Sequence, residues 1–212
     1  MPEPRELELK YHFEGREDYL RMIERCAAAA PPEQEVQDNY YFDTPSYDLA
    51  RGQGMLRLRS KGIVILGFKK GGERAGNPGY FDVIEVECEV SEELFKEAIR
   101  APSNLYGQAL EPMRVLEKHY GELELGLIGQ LNTIRRRRVL EGYLLELDEV
   151  TYADGGKSYE VEIETKDPEG GRRALRSQLE SLSVKAAPQH LSKLQGMLVR
   201  AGVELPGLPR AS

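Results

Sequence analysis

Charged side chains alternate with apolar ones in several short segments, and most of these segments carry charge of a single sign. Carboxylates occupy every second position at 6–8, 85–89, 146–148 and 160–162, and arginines do so at 57–59 and 135–137. A period of two predicts β-strands with one charged and one apolar face. Clustered carboxylate oxygens suit Mg²⁺ or Mn²⁺, whereas arginine and lysine suit phosphate oxygens.

This alternation is compatible with two arrangements of the strands. In the first, an open sheet turns its charged face to water, where mixed charge is ordinary. In the second, the strands close into a barrel with the charged faces inside. A barrel of about eight strands can hold one small ligand, and charges inside it must be paired with one another or bound to metal. The pattern by itself leaves both arrangements open.

The elements that would position these charges can be predicted along most of the chain. Consecutive strands favour antiparallel pairing, so the charged segments are expected to be neighbours in one sheet. Strands are predicted over 6–13, 38–43, 55–60, 62–70, 83–90, 133–140, 143–150 and 159–165, and helices over 16–30, after Ser91, within 103–129, and over 172–183 and 189–201. Leucines and an alanine in the last helix form an apolar stripe at 191, 194, 198 and 201 that is expected to dock on the barrel beside Lys193.

Composition limits the possible function classes. The chain has 212 residues, of which 40% are hydrophobic and 31% charged, and it carries a net charge of -7. We expect one domain over residues 1–202 and a flexible tail over 203–212. The acidic balance argues against binding to nucleic acid or anionic membranes. Cys26 and Cys88 form no C-x-x-C pair, so neither a zinc site nor a disulfide framework is predicted. A cytoplasmic monomer is the expectation.

The charged segments also resemble the motifs of a known family in their order. Glu6-Leu7-Glu8-Leu9-Lys10 is similar to the E-x-E-x-K signature of the CYTH superfamily, the triphosphate tunnel metalloenzymes. Further similarities are Tyr40–Pro45 with its Y-F-D-T-P turn, Leu56–Arg59 with its L-R-x-R strand, Lys69, Arg135, the acidic blocks at 147–148 and 159–162, and Ser192–Leu194 in its C-terminal helix. The sequence resembles most the plant-type tripolyphosphatase and thiamine-triphosphatase branch.

The resemblance implies an α+β fold: a closed antiparallel eight-stranded β-barrel with a charged interior, flanked by helices. It implies hydrolysis of the terminal phosphate of inorganic tripolyphosphate, thiamine triphosphate or a nucleoside triphosphate, with Mg²⁺ or Mn²⁺ as cofactor and the triphosphate as the small-molecule partner. The implied metal ligands are Glu6, Glu8, Asp148, Glu160 and Glu162. The implied phosphate ligands are Lys10, Arg57, Arg59, Lys69, Arg135, Arg137 and Lys193, of which Lys10 and Lys193 join Glu6 and Glu8 as catalytic residues.

Some assignments stay open at this point. Glu85, Glu87 and Glu146 are possible further carboxylates of the tunnel. Four consecutive arginines allow either Arg135 and Arg137 or Arg136 and Arg138 to point inward. Two other functions compete with hydrolysis: a class IV adenylate cyclase, which shares the superfamily's site, and a polyphosphate-binding module without catalysis.

Overall fold

A computed structural model describes residues 4–29, 34–74 and 76–206. Eight antiparallel strands form a ring in the order β1-β6-β5-β4-β3-β7-β8-β9, which closes where β9 pairs with β1. The predicted closed barrel flanked by helices is therefore confirmed. The strands are β1 Arg5–Phe13, β2 Ala27–Ala28, β3 Gln34–Asp43, β4 Gly54–Ser60, β5 Val64–Glu73, β6 Tyr80–Val90, β7 Gly126–Leu140, β8 Tyr143–Thr151, β9 Lys157–Glu164 and β10 Ala186–Pro188.

Six α-helices are described around the ring. They are α1 Arg16–Arg25, α2 Asp48–Arg51, α3 Glu92–Arg100, α4 Glu111–Tyr120, α5 Pro168–Ser181 and α6 Lys193–Arg200, with a 3₁₀ turn at Pro102–Leu105. The outward apolar faces of the strands pack beneath these helices in two buried clusters, one around Leu9 and Leu175 and the other around Leu66 and Met113. Among the described residues, none of the helices is long and apolar enough to cross a bilayer.

Helix α6 packs differently from the others. Its buried Leu194 and Leu198 contact Leu131 and Val150, which lie on the inward faces of β7 and β8. Leu191 is only half-buried, and Ala201 is exposed just beyond the helix, so the predicted stripe is buried at its centre. Helix α6 therefore closes one end of the barrel.

The boundaries of several elements differ from those predicted. The alanine run suggested a helix to residue 30, but α1 ends at Arg25 because Cys26 is extended and Ala27–Ala28 pair with β7. Strand β7 begins at Gly126, since its glycine-containing first half pairs with β3. Of the predicted tail, residues 203–206 are described and Leu205 is buried, whereas 207–212 lie outside the described residues.

Candidate active site

Residues from all eight strands of the ring line one cavity inside the barrel, and α6 contributes to its lining. Seven carboxylates and seven basic side chains of the described chain line it. The carboxylates are Glu6, Glu8, Glu85, Glu87, Glu146, Glu162 and Glu164; the basic residues are Lys10, Arg57, Arg59, Lys69, Arg135, Arg137 and Lys193. Two more acids, Asp148 and Glu160, are buried at 0% and 2% exposure next to Lys193.

The structure resolves which arginines of β7 face inward. Arg135 and Arg137 line the cavity. Arg136 donates to the Tyr19 hydroxyl at 2.8 Å, and Arg138 donates to the Ile23 carbonyl at 3.1 Å, so both contact α1 on the outside of the barrel. All residues predicted for the site therefore line the cavity except Asp148 and Glu160, which contact the lining residue Lys193.

A first acidic cluster consists of Glu6, Glu8 and Glu85, which each offer an oxygen within 4.8 Å of the others. Antiparallel pairing of β1 with β6 brings them together. Lys69 of β5 donates to Glu8 and, at 2.7 Å, to Glu85. Among the described residues Glu6 has no basic partner within ion-pair distance, whereas Glu8 and Glu85 share Lys69.

Burial and neighbouring charges together set the titration of the first acidic cluster. Burial, followed by a hydrogen bond with Glu85, raises the pKa of Glu6 to about 8. Burial also opposes charge on Glu8, but Lys10 and Lys69 outweigh it and lower the pKa of Glu8. Near neutral pH the cluster therefore retains a proton on Glu6, which a divalent cation could replace.

A second acidic cluster consists of Asp148, Glu160 and Glu162, and it is saturated by cations. The Lys193 ammonium lies 2.9 Å from Asp148, 3.2 Å from Glu160 and 2.7 Å from Glu162. The Arg135 guanidinium forms a bidentate ion pair with Asp148 and lies 3.1 Å from Glu162. Although burial opposes charge here, these cations hold the pKa of Asp148 and Glu162 below the ordinary values.

Lys10 connects the two clusters. Its ammonium lies 2.7 Å from Glu8 and 3.1 Å from Glu162, because β1 lies between β6 and β9 in the ring.

Lys193 is the first residue of α6, and its side chain reaches the cavity from there. Ser192 accepts from the Gln195 amide at 3.2 Å, and the Gln195 side chain accepts from the Ser192 amide at 2.8 Å. This capping box fixes where α6 begins and so where the lysine points.

Two arginine pairs flank the clusters, and the two arginines of each pair share one carboxylate. Glu87 lies 3.2 Å from Arg57 and 3.9 Å from Arg59. Glu146 contacts Arg135 and lies 3.1 Å from the Arg137 Nε. Glu87 and Glu146 have the most exposed side chains of the ion-paired acids that line the cavity, at 34% and 25%.

Several neutral residues of the cavity were not predicted as site residues. Gln37, Asn39 and Tyr41 follow one another at every second position of β3, and all three line the cavity with Thr133. Tyr41 is fully buried, and Arg57 is the cation that acts most strongly on its hydroxyl. The same period of two that marked the charged strands runs through β3, but polar and aromatic residues mixed on one face give a weaker signal.

Comparison with known proteins agrees with this architecture. The family model of the CYTH domain matches residues 4–190. YjbK of Bacillus subtilis, for which triphosphatase activity has been suggested, is 28% identical over 158 residues, which span 74% of this chain and 75% of YjbK.

Solved structures show the same barrel. HpAC1 from Hippeastrum, described as a suggested adenylyl cyclase with a dominant triphosphatase activity, superposes with a TM-score of 0.79 and 25% identity over 95% of this chain and 98% of its own. A protein of Bacillus halodurans with a suggested adenylate cyclase function superposes with a TM-score of 0.71 and 23% identity over 91% of this chain and 97% of its own.

Proposed function

Since this chain belongs to the CYTH family, we propose that it is a metal-dependent triphosphatase, which hydrolyses the terminal phosphate of a small triphosphate inside the barrel. The proposal is carried by one observation: the first acidic cluster shares a cavity with seven lysine and arginine side chains. A site that only bound anions would gain nothing from buried carboxylates, because they repel phosphate. Divalent cations bound to the carboxylates would offset their repulsion of the phosphate.

The first acidic cluster suits Mg²⁺ or Mn²⁺, since three carboxylate oxygens lie close together and one carboxyl keeps a proton that metal can replace. When bound, such a cation neutralises the charge that develops on the phosphate oxygens. We assign Glu6, Glu8 and Glu85 as its ligands. Asp148, Glu160 and Glu162 remain proposed ligands as well, but a cation there would share them with Lys193.

The basic residues would hold the phosphate chain in line for attack by water. Lys10, Lys69 and Lys193 provide compact charges, and the arginines provide bidentate donors. Partial burial, and then the neighbouring Glu8, raise the pKa of Glu164, which makes this carboxylate our proposed acceptor of the proton from the attacking water. No covalent intermediate is required.

The lining of the cavity favours inorganic tripolyphosphate among the possible substrates. Tyr41 and Phe81 are the aromatic residues among the described lining. Their exposures are 0% and 4%, which leaves little ring surface on which a nucleobase or a thiazolium could stack. Charged and amide side chains dominate the rest of the lining, as suits a ligand that consists of phosphate throughout.

The test is orthophosphate release from tripolyphosphate, thiamine triphosphate and ATP, each with Mg²⁺, with Mn²⁺ and with EDTA. We expect metal-dependent release, fastest from tripolyphosphate. The absence of release from all three substrates with both metals would contradict the proposal. Tight polyphosphate binding without release would instead indicate a binding module.

Adenylate cyclase activity is the second candidate, because two structurally similar proteins carry that suggested function. A cyclase attacks the α-phosphate with the ribose 3′-hydroxyl and so needs a pocket for the nucleoside. Incubation with ATP and Mn²⁺, followed by measurement of cyclic AMP, distinguishes the two activities. Cyclic AMP as the main product would replace the hydrolase proposal.

A further inference from the structure

Glu87 and Glu146 occupy equivalent places in two parts of the barrel. Each lies between two arginines that are two residues apart on one strand: Arg57 and Arg59 on β4, and Arg135 and Arg137 on β7. Glu146 contacts its two arginines through both carboxylate oxygens, and Glu87 contacts its two through Oε1. A phosphate group can place oxygens in the same positions with more charge.

Glu87 reaches its position in an unusual way, because it does not lie on a strand adjacent to β4. In the register of the sheet, Arg57 faces Gly67 of β5, and Gly67 faces Glu87 of β6. A Cβ atom at Gly67 would lie 3.1 Å from the Glu87 Oε1. The missing side chain at Gly67 thus provides the space through which Glu87 extends across β5 to the arginines.

We propose that Glu87 and Glu146 are placeholder carboxylates, which occupy the anion positions of the two arginine pairs and give them up to phosphate groups of the substrate. This inference rests on the proposed function, since it names how the same site selects its ligand. A chain of several phosphates can replace both carboxylates at once. The orthophosphate product, with a single phosphate group, competes poorly with the two carboxylates and leaves. The two carboxylates therefore favour long, highly charged ligands.

The exposure of the two side chains agrees with this exchange. At 34% and 25%, both can rotate toward solvent, in contrast to the 0% exposed Asp148.

The experiment measures binding of inorganic pyrophosphate to the full chain in EDTA by isothermal titration calorimetry. Glu87→Gln and Glu146→Gln keep the side-chain shape and remove the competing charge. We expect each to tighten pyrophosphate binding about threefold to tenfold, as partly exposed ion pairs would predict, and the double variant to tighten it further. The matched control is Glu89→Gln, because Glu89 lies on the same face of β6 and forms no ion pair with another described residue. It should bind like the unmodified protein.

A second variant tests the same idea without the loss of a charge. Gly67→Ala should push the Glu87 carboxylate away from Arg57 and also tighten pyrophosphate binding. Unchanged or weaker binding in both glutamine variants would overturn the inference, since the carboxylates would then either not compete or orient the arginines. If neither the unmodified protein nor any variant binds pyrophosphate or tripolyphosphate, with or without Mg²⁺, the proposed function fails together with the inference.

Discussion

The two acidic clusters lie in neighbouring parts of the barrel wall, yet they differ in the cations that surround them. Lys193 contacts Asp148, Glu160 and Glu162 at hydrogen-bonding distance, and Arg135 contacts Asp148 and Glu162. In the first acidic cluster Glu6 has no ion-pair partner among the described residues. Its pKa is raised to about 8, so it keeps its proton near neutral pH. The comparison suggests a division of roles: the second cluster holds basic residues in place, whereas the first can accept an additional cation.

Arg135→Met should have the largest effect, and that effect should be on stability. The substitution leaves Asp148, at 0% exposure, without its guanidinium partner. Removal of one partner from a buried ion pair typically costs ~3–5 kcal/mol, so the free energy of unfolding in urea should fall by about that amount. The matched control is Arg136→Met on the same strand, whose guanidinium contacts Tyr19 outside the barrel. Equal losses in the two variants would remove the distinction between the clusters.

Glu8→Gln should affect catalysis most, because it removes a charge from the cluster that we assign to metal. We expect kcat/KM with Mg²⁺ to fall by about a hundredfold or more, equivalent to ~2.7 kcal/mol, with the fold retained in circular dichroism. Glu6→Gln should behave similarly. Near-normal hydrolysis in both variants at saturating Mg²⁺ would show that the metal lies elsewhere. Glu149→Gln, on an outward face beside Lys157, is the control.

Arg57→Ala should have a somewhat smaller effect on the same reaction, and so should Arg59→Ala. Charge-assisted hydrogen bonds are worth ~1.5–3 kcal/mol, which corresponds to a loss of roughly 10- to 150-fold in kcat/KM. Steady-state kinetics on tripolyphosphate provides the measurement, with Arg138→Ala as the outward-facing control. A loss of less than about threefold in both variants would mean that these arginines do not contact the substrate.

The smallest expected effect is on the pH dependence of metal binding. The pKa of Glu6 rises from 4.5 to about 8 on folding, so the folded metal-free chain binds the extra proton between these values. The stability from this proton is fully present below pH 4.5 and is lost as the pH rises through 8. Because metal replaces the proton, Mn²⁺ affinity should increase with pH by at most about tenfold per unit up to pH 8.

Calorimetric titration with Mn²⁺ at pH 6, 7 and 8 measures this dependence. Glu6→Gln should flatten it, since that side chain no longer titrates. The second cluster should contribute little over this range, because the pKa values of Asp148 and Glu162 are lowered. A steep pH dependence that survives in Glu6→Gln would place the proton on another group.

The sequence was sufficient to predict the eight strands of the ring, but not the direction in which their charges point. Alternation in Leu56–Arg59 is the same for an open sheet and for a barrel. Closure depends on the pairing of β1 with β9, in which Lys10 lies opposite Glu162, 152 residues further along the chain. The family resemblance, which includes distant motifs in a fixed order, selected the barrel correctly.

The composition of the first acidic cluster was harder to predict. Glu85 joins Glu6 and Glu8 because β1 pairs with β6, a contact between strands that are not consecutive. Local patterns do not report such pairings. Likewise, four arginines in succession do not indicate which alternate pair points inward. The inward position of Arg135 became evident only from its contacts with Asp148.

The pairing of β1 also has a consequence for how the chain folds during synthesis. Strand β1 emerges before its partners β6, β9 and β10, which end at residues 90, 164 and 188. One edge of β1 therefore stays unpaired until β9 has emerged at residue 164, and such edges can pair with other chains. Lys193, which neutralises the second cluster, emerges later still. The barrel can acquire its internal charge balance only after Lys193 has emerged, so its final closure should be a late step.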